Sequence, residues 1–185
     1  MIRAVIFDFD GVIADSDRAE FESFRQAFQK YGVTLTLTEF LESRGGTSLE
    51  IIGIILKKKR IRLSATEICE AKQKIYEIII PGIKPFDEII GLINRLENYK
   101  LAVASSGSTK NIEKMILKFG VRDKFDAVVG SEDIRRGKPD PEVFLLAARK
   151  LKTLPKNCLV IEDSLVGFKA ARKAGMECII LSGKH

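Results

Sequence analysis

Two aspartates, Asp8 and Asp10, close an apolar run near the start of the chain. Side chains alternate along a strand, so a spacing of two places both carboxylates on one side and Phe7 and Phe9 on the other. Neighbouring carboxylates can divide nucleophilic and acid–base work when their environments separate their ionisation. The pair therefore predicts a reactive site at the end of a strand, with turn-forming aspartates before Gly11 as the alternative.

Three further polar clusters lie near the predicted ends of later strands. Ser105 and Ser106 follow one apolar run, Glu162 and Asp163 follow another, and Lys138 precedes a proline. Ligands bind beyond the carboxyl ends of strands in an open parallel sheet, so we expect these side chains to meet the aspartate pair. Each cluster alone is also typical of a loop, a surface lysine or a helix cap. Together they predict one site for a phosphate group and a metal ion.

The elements that must hold this site alternate along the second half of the chain. From Pro85 onward, short apolar runs between helical patterns predict strands at Leu101–Ala104, Phe125–Val129, Cys158–Ile161 and Cys178–Leu181. With a buried strand over residues 3–9, this alternation predicts an α/β fold with a parallel sheet and right-handed crossovers.

Residues 15–82 have a different pattern, which predicts helices only. Phe24 and Phe28 recur at helical spacing, and Thr47 with Glu50 forms a predicted capping box at the start of a later helix. The predicted domains are a sheet domain, residues 1–14 and 83–185, and an all-helical insertion, residues 15–82.

The composition narrows the class of protein. The 185 residues include 31 Lys and Arg against 25 Asp and Glu, for a net charge of +6, and 45% are hydrophobic. That hydrophobic content is too high for a disordered chain and too low for a membrane protein. The dense basic run Lys57–Arg62 lies at a helix end, where cations complement the helix dipole. We therefore expect a globular enzyme or binding protein with no nucleic-acid partner.

The remaining composition points to an intracellular protein without a histidine base. The N-terminal apolar run is interrupted by two aspartates, and no later stretch approaches the roughly 20 apolar residues of a membrane span, so we expect cytoplasmic localisation and no membrane partner. Cys69, Cys158 and Cys178 lack the close spacing of metal ligands and are expected to be reduced thiols. Since His185 is the sole histidine, carboxylates, hydroxyls and lysines must carry the chemistry.

Four segments resemble, in order, the four motifs of the haloacid dehalogenase superfamily in its phosphatase and phosphomutase branch. They are D-F-D-G-V at Asp8–Val12, V-A-S-S at Val103–Ser106, G-K-P-D-P at Gly137–Pro141 and I-E-D-S at Ile161–Ser164. The resemblance covers nearly the whole chain. It implies a Rossmann-like parallel sheet as the catalytic core, with residues 15–82 as a mobile helical cap.

The family mechanism implies a role for each matching carboxylate. Asp8 would attack phosphorus and form a phosphoaspartyl intermediate, while Asp10 would protonate the leaving alcohol and then activate water. Mg²⁺ would be held by Asp8, the backbone carbonyl of Asp10 and Asp163, with Glu162 as an additional ligand or as a residue behind the ligands. A hard cation with oxygen ligands suits this task, because a carboxylate approaches a phosphate dianion only when charge is neutralised.

The resemblance also implies the phosphate-binding groups and the class of substrate. Ser105, Ser106 and Lys138 would bind the phosphoryl oxygens. The resulting prediction is a magnesium-dependent phosphatase acting on a small phosphorylated metabolite. The aspartate at position 10 disfavours the dehalogenase branch, and the lysines at 57–59 and 72 do not match the pattern of the phosphonate-cleaving branch.

The main alternative is a sugar phosphomutase similar to β-phosphoglucomutase. In such enzymes a cap histidine lies near the acid–base aspartate and a cap arginine binds the second phosphate, but the matching positions here hold Glu20 and Ser48. Both departures favour hydrolysis, although in an alternative alignment Arg44 could supply a nearby cation. Arg44, beside a glycine pair, is a candidate for substrate selection together with Glu20, with an ordinary interhelical turn as the plainer interpretation. A phosphate-binding regulatory protein without turnover is the third function left open, and no oligomeric state is predicted.

Overall fold

The computed structural model describes residues 1–181, and a parallel sheet lies at the centre of the fold. Residues 182–185, and with them His185, lie outside the described part. The strands are β1 (Ala4–Phe7), β2 (Ala14–Asp15), β3 (Lys84–Pro85), β4 (Lys100–Ala104), β5 (Ala127–Val129), β6 (Cys158–Glu162) and β7 (Glu177–Ile180). Five of them form the sheet in the order β5-β4-β1-β6-β7, and all neighbouring pairs are parallel. The predicted α/β fold is confirmed.

The first strand occupies the middle of this sheet. Ala4 is paired with Lys100 of β4 on one side and with Cys158 of β6 on the other. A central parallel strand is buried on both faces, which explains why Ala4–Phe7 is entirely apolar. The chain leaves the carboxyl end of this central strand directly at Asp8.

Helices cover both faces of the sheet. The helices are α1 (Asp17–Gln29), α2 (Leu37–Leu41), α3 (Ser48–Lys59), α4 (Ala65–Ile79), α5 (Asp87–Arg95), α6 (Thr109–Lys118), α7 (Glu142–Lys150) and α8 (Leu165–Lys173). α5 and α6 pack with Val5 and Phe7 on one face, and α7 and α8 pack with Ala4 and Ile6 on the other. In the described chain, no helix has the length and apolar content needed to cross a bilayer.

The helices α1 to α4 form an apolar cluster of their own. Phe24 and Phe28 of α1 pack there with Ile52 of α3 and Ile68 of α4, and all four side chains are at most 1% exposed. The helical spacing of the two phenylalanines is thereby confirmed. This cluster gives the segment a core separate from the two clusters that cover the sheet.

A short antiparallel ribbon connects the helical segment to the sheet. Ala14 of β2 pairs with Pro85 of β3, and Asp15 pairs with Lys84. The expectation of helix from residue 15 onward is therefore wrong at Asp15, because its backbone takes a strand partner. The ribbon holds the points at which the chain enters and leaves the helical segment side by side.

Capping boxes fix the starts of two helices in the segment. The Thr47 side chain accepts from the Glu50 N–H, and the Glu50 carboxylate accepts from the Thr47 N–H, as predicted. Thr36 and Glu39 make the same reciprocal pair at α2, which was not predicted although its sequence pattern is identical.

Candidate active site

The predicted chemical groups meet at the carboxyl ends of the central strands. Asp8 follows β1 and its N–H donates to the Ile161 carbonyl of β6, while Ser105 follows β4. Glu162 is the last residue of β6, and Lys138 enters from the loop before α7. The side chains of Asp8, Ser105, Lys138 and Glu162 are all buried. The sheet thus brings together groups that are far apart in sequence.

Lys138 lies at the centre of this cluster. Its Nζ is 2.8 Å from Asp8 Oδ1 and 2.5 Å from Glu162 Oε1, and it also lies 4.9 Å from the centre of the Phe144 ring. Burial alone would lower the pKa of Lys138, but the two carboxylates outweigh it and hold the pKa above its usual value. The lysine is therefore a permanent buried cation next to Asp8.

Both carboxylate oxygens of Glu162 already have protein partners. Oε1 accepts from Lys138, while Oε2 accepts from the N–H groups of Asp163 and Ser164, each at 2.8 Å, and from the Ser164 hydroxyl at 2.9 Å. Burial raises the pKa of Glu162, but Lys138 and these hydrogen bonds lower it by more. The pKa of Glu162 is therefore below its usual value. Glu162 is thus a fixed anion that orients both Lys138 and the backbone before α8.

The carboxylates form a cluster that fits a divalent cation. Oxygens of Asp8, Glu162 and Asp163 all lie within 4.8 Å of one another. Burial and the neighbouring Glu162 raise the pKa of Asp8 well above its usual value, and the same two causes raise the pKa of Asp163 to about 6. Lys138 offsets only part of this negative charge. An all-oxygen donor set with unbalanced negative charge suits a hard cation such as Mg²⁺.

Asp10 is held by two hydroxyl groups. The Ser16 hydroxyl donates to Asp10 Oδ1 at 2.6 Å, and the Ser105 hydroxyl lies 3.3 Å from Oδ2. Ser16 is fully buried just after β2, and sequence reasoning missed it because a serine before a helix is also typical of an ordinary cap. The second predicted hydroxyl, Ser106, donates to the Gly45 carbonyl of the helical segment at 3.0 Å.

A buried ion pair lies in the helical segment near Asp10. Lys72 Nζ is 2.9 Å from Glu20 Oε2, and the lysine is 3% exposed. The same ammonium lies 4.9 Å from the centre of the Phe24 ring and 4.4 Å from that of Tyr76. Burial and the charge of Asp10 raise the pKa of Glu20, while Lys72 opposes this shift. Glu20 is therefore close enough to Asp10 for the two charges to interact.

Arg44 also comes close to the carboxylate cluster. Its guanidinium pairs with Asp17 of α1 and lies over the Phe40 ring. Burial would lower the pKa of Arg44, but Asp17, and more weakly Asp163 and Asp10, raise it. The structure thus places Arg44 at the side of the site formed by the helical segment, with Asp17 as a partner that the sequence analysis did not identify.

Proteins with known names resemble the chain over nearly its full length. A family model described as haloacid dehalogenase-like hydrolase matches residues 5–181. YhcW of Bacillus subtilis (strain 168) is 32% identical over 100% of this chain and 85% of its own. The phosphorylated carbohydrates phosphatase of Thermotoga maritima is 29% identical over 96% of this chain and 84% of its own. The beta-phosphoglucomutase of Bacillus subtilis (strain 168) is 29% identical over 95% of this chain and 81% of its own.

A solved structure extends this similarity to the fold. The crystal structure of CbbY from Rhodobacter sphaeroides in complex with phosphate matches with a TM-score of 0.86 and 28% identity, covering 100% of this chain and 88% of that chain. A mutant of CbbY, matched equally well, was crystallised with xylulose-(1,5)bisphosphate. The predicted family resemblance is confirmed. The similar proteins include both phosphatases and a phosphomutase.

Proposed function

Since the chain belongs to the haloacid dehalogenase-like hydrolases and is an enzyme of their phosphatase and phosphomutase branch, we propose that it hydrolyses a small phosphorylated sugar or related metabolite. The reaction proceeds through a phosphoaspartyl intermediate and depends on Mg²⁺. The observation that carries this proposal is the buried contact of 2.8 Å between Asp8 and Lys138 inside a cluster of carboxylates. A nucleophile and a permanent cation side by side can receive a phosphoryl group.

Asp8 and Asp10 divide the chemistry. A carboxylate oxygen of Asp8 attacks phosphorus, the bond from phosphorus to the leaving oxygen breaks, and Asp10 gives its proton to that oxygen. Asp10 then takes a proton from a water molecule whose oxygen attacks the phosphoaspartate, which frees phosphate and restores Asp8. The Ser16 hydroxyl, 2.6 Å from Asp10, holds this carboxyl group where it can serve both steps, while Ser105, 3.3 Å from Asp10, turns its single proton to the phosphoryl group when substrate binds.

The remaining residues stabilise charge. Lys138 and Ser105 bind the phosphoryl oxygens, on which negative charge is spread during transfer, and Ser106 lies next to them. Asp8, Asp163 and the backbone carbonyl of Asp10 would hold Mg²⁺, which would supply the charge neutralisation that lets a phosphate dianion approach. Glu162 acts from behind the ligands, because both of its oxygens already hold other groups.

Residues 15–82 act as a cap that closes over the site, and the sheet domain comprises residues 1–14 and 83–185. The ribbon of β2 and β3 is the hinge of this movement, since it holds side by side the two points at which the chain enters and leaves the cap. Closure excludes water from the first step, in which the phosphoryl group passes to Asp8.

Hydrolysis is favoured over phosphomutation by the ion pair of Glu20 and Lys72. A mutase must hold a second phosphoryl group in the cap, whereas here Glu20 neutralises the buried lysine. Ser48, at the first position of α3, offers no positive charge either. Arg44, the cation that the cap does place beside the site, is already paired with Asp17.

The proposed function is tested by measuring release of inorganic phosphate from sugar, glycerol, glycolate and nucleotide phosphates with Mg²⁺. We expect hydrolysis of at least one ester without a bisphosphate activator. Faster isomerisation of a sugar phosphate in the presence of a sugar bisphosphate would instead favour the mutase. Tight phosphate binding with no turnover of any ester would favour a regulatory protein.

Replacing Arg44 by alanine is expected to change the ratio of kcat/KM between two good substrates by about 10- to 200-fold, because a charged pocket group distinguishes leaving groups. The dependence on Mg²⁺ should stay the same. Arg25→Ala removes an arginine of the same segment from an exposed pair with Glu22 and should leave the ratio unchanged. Equal ratios in wild type and Arg44→Ala would show that Arg44 has no selective role.

A further inference from the structure

The helical segment touches the loop that carries Lys138 through one carboxylate. Glu50 Oε2 accepts from the Thr47 N–H at 2.7 Å within the capping box of α3. The same carboxylate accepts from the N–H of Gly137, at 3.1 Å to Oε2 and 3.3 Å to Oε1. Glu50 therefore has a second bond, across the interface between the segment and the sheet domain, that helix capping does not need.

This bond requires the two backbones to lie almost in contact. A Cβ atom on Gly137 would lie 2.6 Å from the Thr47 nitrogen and 2.7 Å from the backbone of Gly46. Such distances are far inside van der Waals contact, so only glycine fits at position 137 while the segment is docked. A neighbouring contact, in which the Ser106 hydroxyl donates to the Gly45 carbonyl at 3.0 Å, joins the same two parts.

The contact adjoins the catalytic lysine. Gly137 is bonded directly to Lys138, whose own N–H lies 3.5 Å from the Ser106 hydroxyl. The lysine side chain continues from this backbone to Asp8 and Glu162. The position of the Gly137 peptide therefore sets where the side chain of Lys138 starts, and Glu50 is the side chain that holds this peptide.

We propose that Glu50 is a positioning residue, whose bond to the Gly137 N–H couples docking of the helical segment to placement of Lys138 against Asp8. The structural part of this inference stands on the observed contacts, and its effect on turnover rests on the proposed function. Bonds from an N–H to a carboxylate are stronger than those between neutral groups, which suits a contact that must form at each closure.

The capping box at α2 provides a matched control. Glu39 makes the same reciprocal bonds with Thr36 and also pairs with Lys59 at 2.5 Å, but it lies on the segment away from Gly137. Glu39→Ala therefore removes a comparable set of local bonds without touching the loop of Lys138. Glu50→Gln is the conservative variant, since a glutamine at this position still caps the helix and still offers one acceptor oxygen.

Hydrogen exchange of the Gly137 amide tests the contact without any substrate. In Glu50→Ala we expect this amide to exchange about tenfold faster than in wild type, because it loses its hydrogen-bond acceptor. In Glu39→Ala and Glu50→Gln the rate should stay close to that of wild type. Unchanged protection of Gly137 in Glu50→Ala would overturn the proposal, whatever the enzyme hydrolyses.

Kinetics then test the consequence for Lys138. Glu50→Ala should lower kcat by about 10- to 100-fold with a much smaller change in KM, since displacement of a catalytic group by about 1 Å has effects of this size. Glu50→Gln should recover most of kcat. Glu39→Ala should keep the wild-type kcat, although it loses as much thermal stability as Glu50→Ala. An equal fall in kcat for Glu50→Ala and Glu39→Ala would contradict the proposal, since it would show that Glu50 acts only as a helix cap.

Gly137→Ala disrupts the same contact from the side of the sheet domain. Because it leaves the capping box of α3 intact, it can be measured even if Glu50→Ala does not fold. Its Cβ would force the backbones apart, so we expect a similar fall in kcat, whereas full activity would contradict the proposal. If wild type itself hydrolyses no phosphate ester, the proposed function fails, while the exchange of the Gly137 amide still decides the role of Glu50.

Discussion

Asp8→Asn is expected to lower turnover by about 10⁴-fold or more while the protein stays folded, because the amide keeps the shape of the side chain but lacks the nucleophilic oxygen. Burial and nearby carboxylates already disfavour the ionised form of Asp8, whose pKa is raised. Removal of that charge should therefore leave thermal stability equal to or above that of wild type. Lys138 keeps Glu162 as its partner.

Steady-state and single-turnover assays of phosphate release provide the measurement. Asp123→Asn, the same change at an exposed position, should retain wild-type activity and controls for the substitution itself. Multiple turnover by Asp8→Asn at the parent rate, in protein shown by mass spectrometry to carry the asparagine, would exclude Asp8 as the nucleophile.

Removal of divalent cations is expected to reduce activity by about 10³-fold, and Mg²⁺ should restore it, because several kcal/mol of charge stabilisation come from the metal in such reactions. The cluster of Asp8, Glu162 and Asp163 carries more negative charge than Lys138 balances. Without a cation, this charge repels both the incoming phosphate and the neighbouring carboxylates.

Thermal unfolding gives a second readout for the same site. Mg²⁺ should raise the Tm of the wild-type protein, since a ligand that binds only the folded state stabilises it, and the increase should be much smaller in Asp163→Asn. Full activity after exhaustive chelation would exclude a metal-dependent mechanism. A Tm increase of equal size in the two proteins would exclude Asp163 as a ligand.

The arrangement of the sheet could be predicted because its signals are local. Strands flanked by helices on both faces are short apolar runs, and a parallel sheet places their carboxyl ends at one edge. Asp8 and Glu162 close such runs, so their meeting followed from the topology. Lys138 was assigned through its motif, since the loop before α7 has no periodicity of its own.

The long-range contacts within the helical segment, and those between it and the sheet domain, could not be predicted in this way. Glu50 and Gly137 are 87 positions apart in sequence, and Glu20 and Lys72 are 52 apart. Their meeting depends on the angle at which packed helices cross and on how closely two loops approach, neither of which a sequence pattern encodes. The capping box at Thr36 is different, because its four-residue signal was present and could have been found.

The ribbon of β2 and β3 has a consequence for the evolution of the chain. Because Asp15 pairs directly with Lys84, everything between them is a loop whose ends are already joined at the rim of the sheet. Doubling the length of a flexible loop changes its closure free energy by only about 0.6 kcal/mol. Segments of different size can therefore replace one another there while Asp8 and Asp10 keep their places. Selection for new substrates can act on this segment while selection for phosphoryl transfer preserves the strands.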